Sequence, residues 1–247
     1  MARQLDMLKN LQTWLQRLAP QPGAVPKLGP DQRQALLAAL ASSRAADRWL
    51  AAEALAEGDP GKEGVAALAA LLGDPDPLLR SEAGRALGQI GGKGARQALL
   101  DVVATGGTVA QAAAADGLGF LPASVESVTA LAGLLDSSDA ALRQSAAEAL
   151  ARLDPPPPAR DGATPASAIR STLLHLLSGD QSAMVRRAAA LALARWGDSS
   201  VDTALTARRD DEAEDTRVRE AAAVALSRVR GGGNTTADEE QRMGNGG

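Results

Sequence analysis

A phrase of about fifteen residues returns along this chain at a nearly constant interval. It reads LLRSEAGRALGQIGG from Leu78, ALRQSAAEALARLDP from Ala141, MVRRAAALALARWGD from Met184 and RVREAAAVALSRVRG from Arg217. An Ala–Leu or Gly–Leu pair marks six copies, and successive copies are 32, 31, 32, 43 and 33 residues apart. A period of this length is typical of helical repeats that stack on one another. We call the leucine of the pair the reference leucine of each repeat: Leu55, Leu87, Leu118, Leu150, Leu193 and Leu226.

The residues around each reference leucine predict an α-helix. Small residues recur four and one positions before it, an apolar residue or glycine three positions after it, and Arg or Gln seven positions before it. These offsets lie on one stripe of a helix. A second apolar stretch, such as VESVTALAGLLDSS, precedes each copy and ends in a short polar turn. The unit is therefore an A-helix, a turn and a B-helix. One hairpin cannot bury both apolar stripes but stacked hairpins can, so we predict an all-α, right-handed solenoid of about six hairpins.

Composition supports helices and excludes several kinds of chemistry. The apolar residues are mostly Ala, Leu and Val, and there are three Trp, one Phe and no Tyr. The absence of Cys excludes disulfides, thiolate metal sites and cysteine nucleophiles. His175 is the one histidine, so a site with several His ligands is excluded, and we predict no cofactor and no metal. A net charge of −4 and scarce aromatic residues argue against a nucleic-acid partner.

The chain divides by composition into a repeat array and its flanks. We predict an amphipathic N-terminal capping helix over 1–19, a linker over 20–30, the array over 31–230 and a disordered tail over 231–247. The insertion DPPPPARDGATP at 154–165 explains the one long interval, and four successive prolines predict a surface loop there. Alternative roles are a partner-binding or membrane-surface N-terminal helix and a proline-rich docking segment. Since no run of eighteen apolar residues occurs, we expect no transmembrane segment and a cytoplasmic location.

The segment LAALLGDPDPLLRSEAGRALGQIGG resembles the HEAT-like repeats of bacterial proteins, in particular the short class found in phycobilin lyase subunits. The resemblance covers roughly 31–230. It implies an armadillo-like superhelix with an arginine ladder, in which turn carboxylates pair with B-helix arginines of neighbouring repeats. Gln111 replaces the arginine in the third repeat, whose turn TGGTVAQ also has no Asp, so we expect a looser interface there. The predicted ladder residues are Arg48, Arg80, Arg143, Arg186, Arg219, Asp74, Asp76, Asp139, Asp180 and Asp215.

The inner face of such an array is usually formed by the B-helices. Its N-terminal end is acidic and its C-terminal end is basic, which favours binding of an extended or acidic protein segment. We therefore predict a non-catalytic protein-binding scaffold or adaptor; solvated charges without a partner are the other interpretation of this face. The resemblance to lyase subunits implies an alternative, a lyase or chaperone subunit that acts on a tetrapyrrole-bearing protein. The candidate binding residues are Glu53, Glu57, Phe120, Arg152, Arg195 and Arg228.

Overall fold

The structure is a computed structural model that describes residues 28–155 and 165–244, with side chains over 28–155 and 166–231. Within these ranges it contains twelve α-helices and two short 3₁₀ helices, and no strand. The prediction of an all-α repeat solenoid is confirmed. The chain forms two compact units, Met1–Gly117 and Leu118–Gly247.

The six predicted hairpins are all present, with A-helices carrying odd numbers and B-helices even numbers. A 3₁₀ helix, Leu71–Gly73, follows α3, and another, Ser199–Val201, precedes α11. The first three hairpins are α1 (Pro30–Leu40) with α2 (Ala45–Glu57), α3 (Gly61–Ala70) with α4 (Pro77–Ile90), and α5 (Gly92–Thr105) with α6 (Thr108–Leu118). The next three are α7 (Val125–Leu135) with α8 (Ala140–Arg152), α9 (Pro165–Gly179) with α10 (Ala183–Trp196), and α11 (Asp202–Asp210) with α12 (Thr216–Gly244).

Capping residues set where the B-helices begin and end. Asp76 Oδ1 accepts the Leu78 N–H of α4 at 2.9 Å, and Pro77 occupies the first helical position, where no amide hydrogen is needed. At the other end of α4, Gly91 adopts φ 68° and donates its N–H to the Leu87 carbonyl at 3.0 Å. A glycine takes up this left-handed conformation without steric cost. The chain can therefore reverse within one residue and begin α5.

The stripe predicted from the repeat is the core of the protein. All six reference leucines are at most 3 % exposed, and the alanine four positions before each is fully buried. These small residues let neighbouring B-helices approach closely. At Gly84 of α4, an added Cβ would lie 2.8 Å from the backbone oxygen of Ala113 in α6. The alanine-rich composition thus has a packing cause, since larger side chains would separate the helices.

Trp196 shows how the stripe accommodates a large residue. It lies three positions after Leu193, is buried, and donates its Nε1–H to the Leu150 carbonyl at 2.8 Å. That carbonyl belongs to the last turn of α8, and it also accepts the N–H of Leu153 at 3.1 Å. The indole therefore joins α10 to α8 both by packing and by a hydrogen bond.

Several predicted segments fall outside the described residues. These are the capping helix over 1–19, most of the linker over 20–30 and the prolines of the insertion over 154–165. The backbone of α12 continues to Gly244, whereas composition predicts a disordered tail from residue 231; no side-chain packing is described after Gly231. The disordered tail stays a prediction.

Candidate protein-binding face

Three of the predicted ladder arginines pair with a carboxylate of the next repeat through the same two nitrogens. Arg48 Nε and Nη2 donate to Asp74 Oδ2 and Oδ1, both at 3.1 Å. Arg143 does the same to Asp180, at 2.7 and 3.1 Å. The third nitrogen, Nη1, points back to the arginine's own turn, where it donates to the Ser42 carbonyl in the first case and to the Ser137 carbonyl in the second. Each guanidinium thus joins two successive turns.

The third pair was not predicted as such. Arg186 Nε and Nη2 donate to Glu214 Oε2 and Oε1 at 2.9 and 2.5 Å. Asp74 and Asp180 stand six residues before the arginine of their own repeat, whereas Glu214 stands five residues before Arg219. The longer glutamate side chain reaches the same place from one position later. Sequence reasoning named the adjacent Asp215 because it looked for aspartate alone.

Three predicted ladder aspartates instead cap the helices that follow them. The Asp139 carboxylate accepts the N–H groups of Ala141 and Leu142, and that of Asp215 accepts the N–H of Arg217. Asp76 caps α4 as described above. These residues stand four positions before the arginine, at the N-cap, where the carboxylate faces free amides of its own helix. Asp76, Asp139 and Asp215 therefore act as helix caps, which is the other role that an aspartate in the turn of such a repeat can fill.

Hydrogen bonds from the arginines control the ionisation of the two second-unit carboxylates. The Arg186 guanidinium lowers the pKa of Glu214, with further lowering by the Asp215 N–H. Burial acts to raise the pKa of Asp180, but the hydrogen bonds from Arg143 and the Ser182 N–H outweigh it and the pKa is lowered. Both carboxylates are nearly inaccessible to solvent. They are held ionised as part of the scaffold.

Arg80 and Arg219 occupy ladder positions but donate to backbone oxygens. Arg80 Nη1 donates to the carbonyls of Asp74 and Pro75 at 2.8 and 3.0 Å, and Arg219 Nε donates to the Arg209 carbonyl at 3.2 Å. Within the described ranges, no carboxylate pairs with Arg80. Gln111 donates to the Val103 carbonyl of its own hairpin at 2.7 Å. The ladder is thus interrupted between the second and third repeats, where the sequence predicted a looser interface.

The acidic end of the predicted face lies in the first unit. Glu57 is exposed and Glu53 is half-buried on α2. Burial raises the pKa of Glu53, the negative charges of Glu57 and Glu82 raise it further, and Arg85 opposes them. Arg85 itself is held by Glu82 at 2.5 and 3.0 Å. The positive charge of Arg85 therefore offsets part of the negative charge of this end.

The basic end lies in the second unit, and we call Phe120, Arg152, Arg195 and Arg228 the basic face. The Arg152 guanidinium stands over the Phe120 ring, 4.8 Å from its centroid, and the ring is 51 % exposed. This is a cation–π contact at the surface. Arg195 pairs with Asp154 at 2.7 Å, and Arg228 is exposed. The structure thus leaves all four residues accessible to a partner.

Two apolar side chains accompany these arginines. Leu191 and Val224 stand one helical turn before Arg195 and Arg228 on α10 and α12, which pack against each other. Leu191 is half-buried, and Val224 is 45 % exposed. The second unit therefore presents an aliphatic row next to a row of guanidinium groups.

The described residues contain no constellation typical of a metal centre. No three His, Asp or Glu side chains lie close enough together to hold a metal ion in this part of the chain. His175 is exposed and lines a polar groove of about 470 Å³ beside Thr172 and Asp136. None of the described helices is long and apolar enough to cross a bilayer.

A protein-family comparison decides the family. The model described as HEAT repeats matches residues 33–119 and 129–227. The chain belongs to the HEAT repeat family. No curated protein sequence matches this HEAT repeat protein.

A solved bacterial structure has a similar fold. The Escherichia coli protein YibA superposes with a TM-score of 0.53 at 18 % identity, over 81 % of this chain and 70 % of its own. An engineered protein superposes with a TM-score of 0.49 at 22 % identity, over 83 % of this chain and 100 % of its own. A computationally designed armadillo repeat protein for modular peptide recognition superposes with a TM-score of 0.46 at 18 % identity, over 79 % of this chain and 98 % of its own. The likeness to YibA shows the fold alone.

Proposed function

We propose that this HEAT repeat protein is a non-catalytic scaffold that binds an acidic protein segment on the basic face of its second unit. The observation that carries the proposal is the position of Arg152, Arg195 and Arg228 outside the ladder. The ladder arginines have their hydrogen bonds directed into the scaffold, whereas these three are exposed on the B-helices, where Arg152 stacks on Phe120 and Arg195 pairs with the exposed Asp154. Exposed arginines in a row attract acidic partners and accelerate their association.

The neighbours of the three arginines support protein binding over simple solvation. Phe120 is the chain's single phenylalanine, and half of its surface is exposed beside Arg152. Leu191 and Val224 add aliphatic area next to Arg195 and Arg228. Aromatic and arginine side chains are enriched at the energetic centres of protein interfaces. A partner with acidic and apolar side chains in alternation could contact both rows.

The proposal is tested by binding of labelled, capped peptides in which Glu alternates with Leu, compared with peptides in which Lys replaces Glu. We expect the acidic series alone to bind, with an affinity that falls as salt is added. The variant R152E/R195E/R228E should lose this binding. The matched control K62E/K93E/R217E reverses the same number of charges at exposed positions outside the basic face and should retain it.

Two results would contradict the proposal. Equal loss of binding in both triple variants would mean that net charge, and no particular face, attracts the peptides. Binding of a bilin with a shift in its absorbance spectrum would favour the alternative, a lyase or chaperone subunit for a tetrapyrrole-bearing protein. The cytoplasmic location stays a prediction.

A further inference from the structure

We infer that a second binding surface lies in the first unit, where Leu78, Arg80 and Val109 form an edge that takes an acidic loop of a partner protein. The Arg80 guanidinium would donate through Nε and Nη2 to an Asp or Glu carboxylate of that loop. We call these three residues the Arg80 edge. This surface is separate from the basic face and does not depend on it.

The protein itself shows the geometry with which such a site would bind. In the first, fourth and fifth repeats, the equivalent arginine donates Nη1 to its own turn and pairs Nε and Nη2 with a carboxylate of the next turn. Arg80 makes the first of these contacts, with Nη1 at 2.8 and 3.0 Å from two carbonyls of its own turn. Its guanidinium is therefore oriented like the others. A planar fork held in this way is suited to a carboxylate.

The turn of the third repeat brings no carboxylate to Arg80. Thr105 stands at the position of Asp74 and Asp180, and its hydroxyl donates to the Asp101 carbonyl at 2.8 Å. Gly106 and Gly107 follow, and nothing lies within 4 Å of a Cβ placed at Gly107. The turn therefore supplies neither a negative charge nor much bulk.

Exposed aliphatic side chains stand in the first turns of the two B-helices at this edge, α4 and α6. Leu78 is 73 % and Val109 53 % exposed, and both stand nine residues before their reference leucines. Their helices, α4 and α6, approach closely at Gly84. The equivalent residues are alanines in the first and fourth repeats and Met184, which is 36 % exposed, in the fifth. Large exposed apolar residues near the end of a helix whose arginine pairs with no carboxylate among the described residues are typical of an interaction surface.

These observations favour a protein loop over a small anion. An inorganic anion would use Arg80 but gain nothing from Leu78 and Val109. An acidic turn flanked by aliphatic residues would use all three side chains, as the turn of the second repeat does when it supplies Asp74 to Arg48. The chain therefore contains a natural probe, a capped peptide LLGDPDPLL that copies 71–79.

The experiment titrates this peptide into the full chain and follows the methyl NMR signals of Leu78 and Val109. We expect saturable shifts of both signals. A peptide with Asn in place of the first Asp should bind at least about tenfold more weakly, because it loses a charge-assisted pair. Equal affinities of the two peptides would overturn the inference.

Variants of the protein distinguish binding at the Arg80 edge from a general loss of folding and from binding at the basic face. R80Q should lose the shifts, and R217Q, at an exposed arginine of the second unit, should keep them. T105D places a carboxylate of the chain itself opposite Arg80 and should also block the peptide. R152E/R195E/R228E should bind the peptide as the native chain does. If the basic face turned out not to bind acidic segments, the peptide would therefore still bind at the Arg80 edge. Unchanged binding by R80Q or T105D would refute the Arg80 edge.

Discussion

At the scale of single residues, we expect the negative charge of Asp180 in the ladder pair Arg143–Asp180 to contribute more to the free energy of unfolding than the charge of the helix cap Asp139. The two side chains are 16 % and 3 % exposed. D180N removes the negative charge and leaves the Arg143 guanidinium largely buried without a carboxylate to balance it. We expect this change to lower the free energy of unfolding by about 3 kcal/mol. D139N is the matched control, since asparagine caps a helix as well as aspartate does. Urea denaturation measures both, and equal losses would contradict the distinction between ladder and cap.

The same carboxylates make stability depend on pH in a defined direction. The pKa values of Asp180 and Glu214 lie below their ordinary values of 3.8 and 4.5 in the folded chain. A lowered carboxyl pKa contributes stability above the unfolded pKa, and that contribution is lost as pH falls through the folded pKa. We expect the deficit of D180N/E214Q relative to the native chain to be full at neutral pH, to begin to shrink as pH falls below 4.5, and to shrink further below 3.8. A deficit that did not change with pH would refute this origin of the effect.

At the scale of helices, backbone contact between α4 and α6 makes one glycine indispensable. G84A would place a Cβ 2.8 Å from the Ala113 carbonyl oxygen, which belongs to the backbone and cannot rotate away. We expect a loss of about 1 to 3 kcal/mol, although alanine is the better helix former. G133A in α7 is the control, because nothing lies within 4 Å of its added Cβ. It should gain about 0.5 to 1 kcal/mol in thermal unfolding.

The helices and their buried stripe could be predicted from sequence because they follow from the repeat period alone. The position four before each reference leucine is a buried alanine in all six repeats. Pairing of polar side chains could be predicted only in part. The Arg48–Asp74 and Arg143–Asp180 pairs follow the ladder that the resemblance implies, whereas the carboxylate used elsewhere depends on side-chain length and turn geometry. Glu214 takes the place of an aspartate from a neighbouring position, and Asp139 turns to its own helix. Arg152 and Phe120 are 32 positions apart in the sequence. The spacing of the repeats alone does not show that their side chains stack on each other.

At the scale of the molecule, a solenoid is as cooperative as the contacts between neighbouring repeats allow. Among its described residues, the first unit has one ladder pair, Arg48–Asp74, between its first two repeats and none between its second and third. We expect amide hydrogens of α5 and α6 to exchange faster than those of α2 and α4, as in a separately opening segment.

T105D tests whether the missing ladder pair causes this weakness. If the new carboxylate pairs with Arg80, it should stabilise the first unit by about 1 kcal/mol. Because the pair would link the second and third repeats, it should slow exchange in α5 and α6 and leave α2 unchanged. T105N lacks the charge and serves as the control. Slower exchange in both variants would mean that the new side chain at the end of α5, and no ion pair with Arg80, causes the effect. Slower exchange in T105D alone would mean that the chain gives up a stabilising contact at the place where we infer that a partner's carboxylate binds.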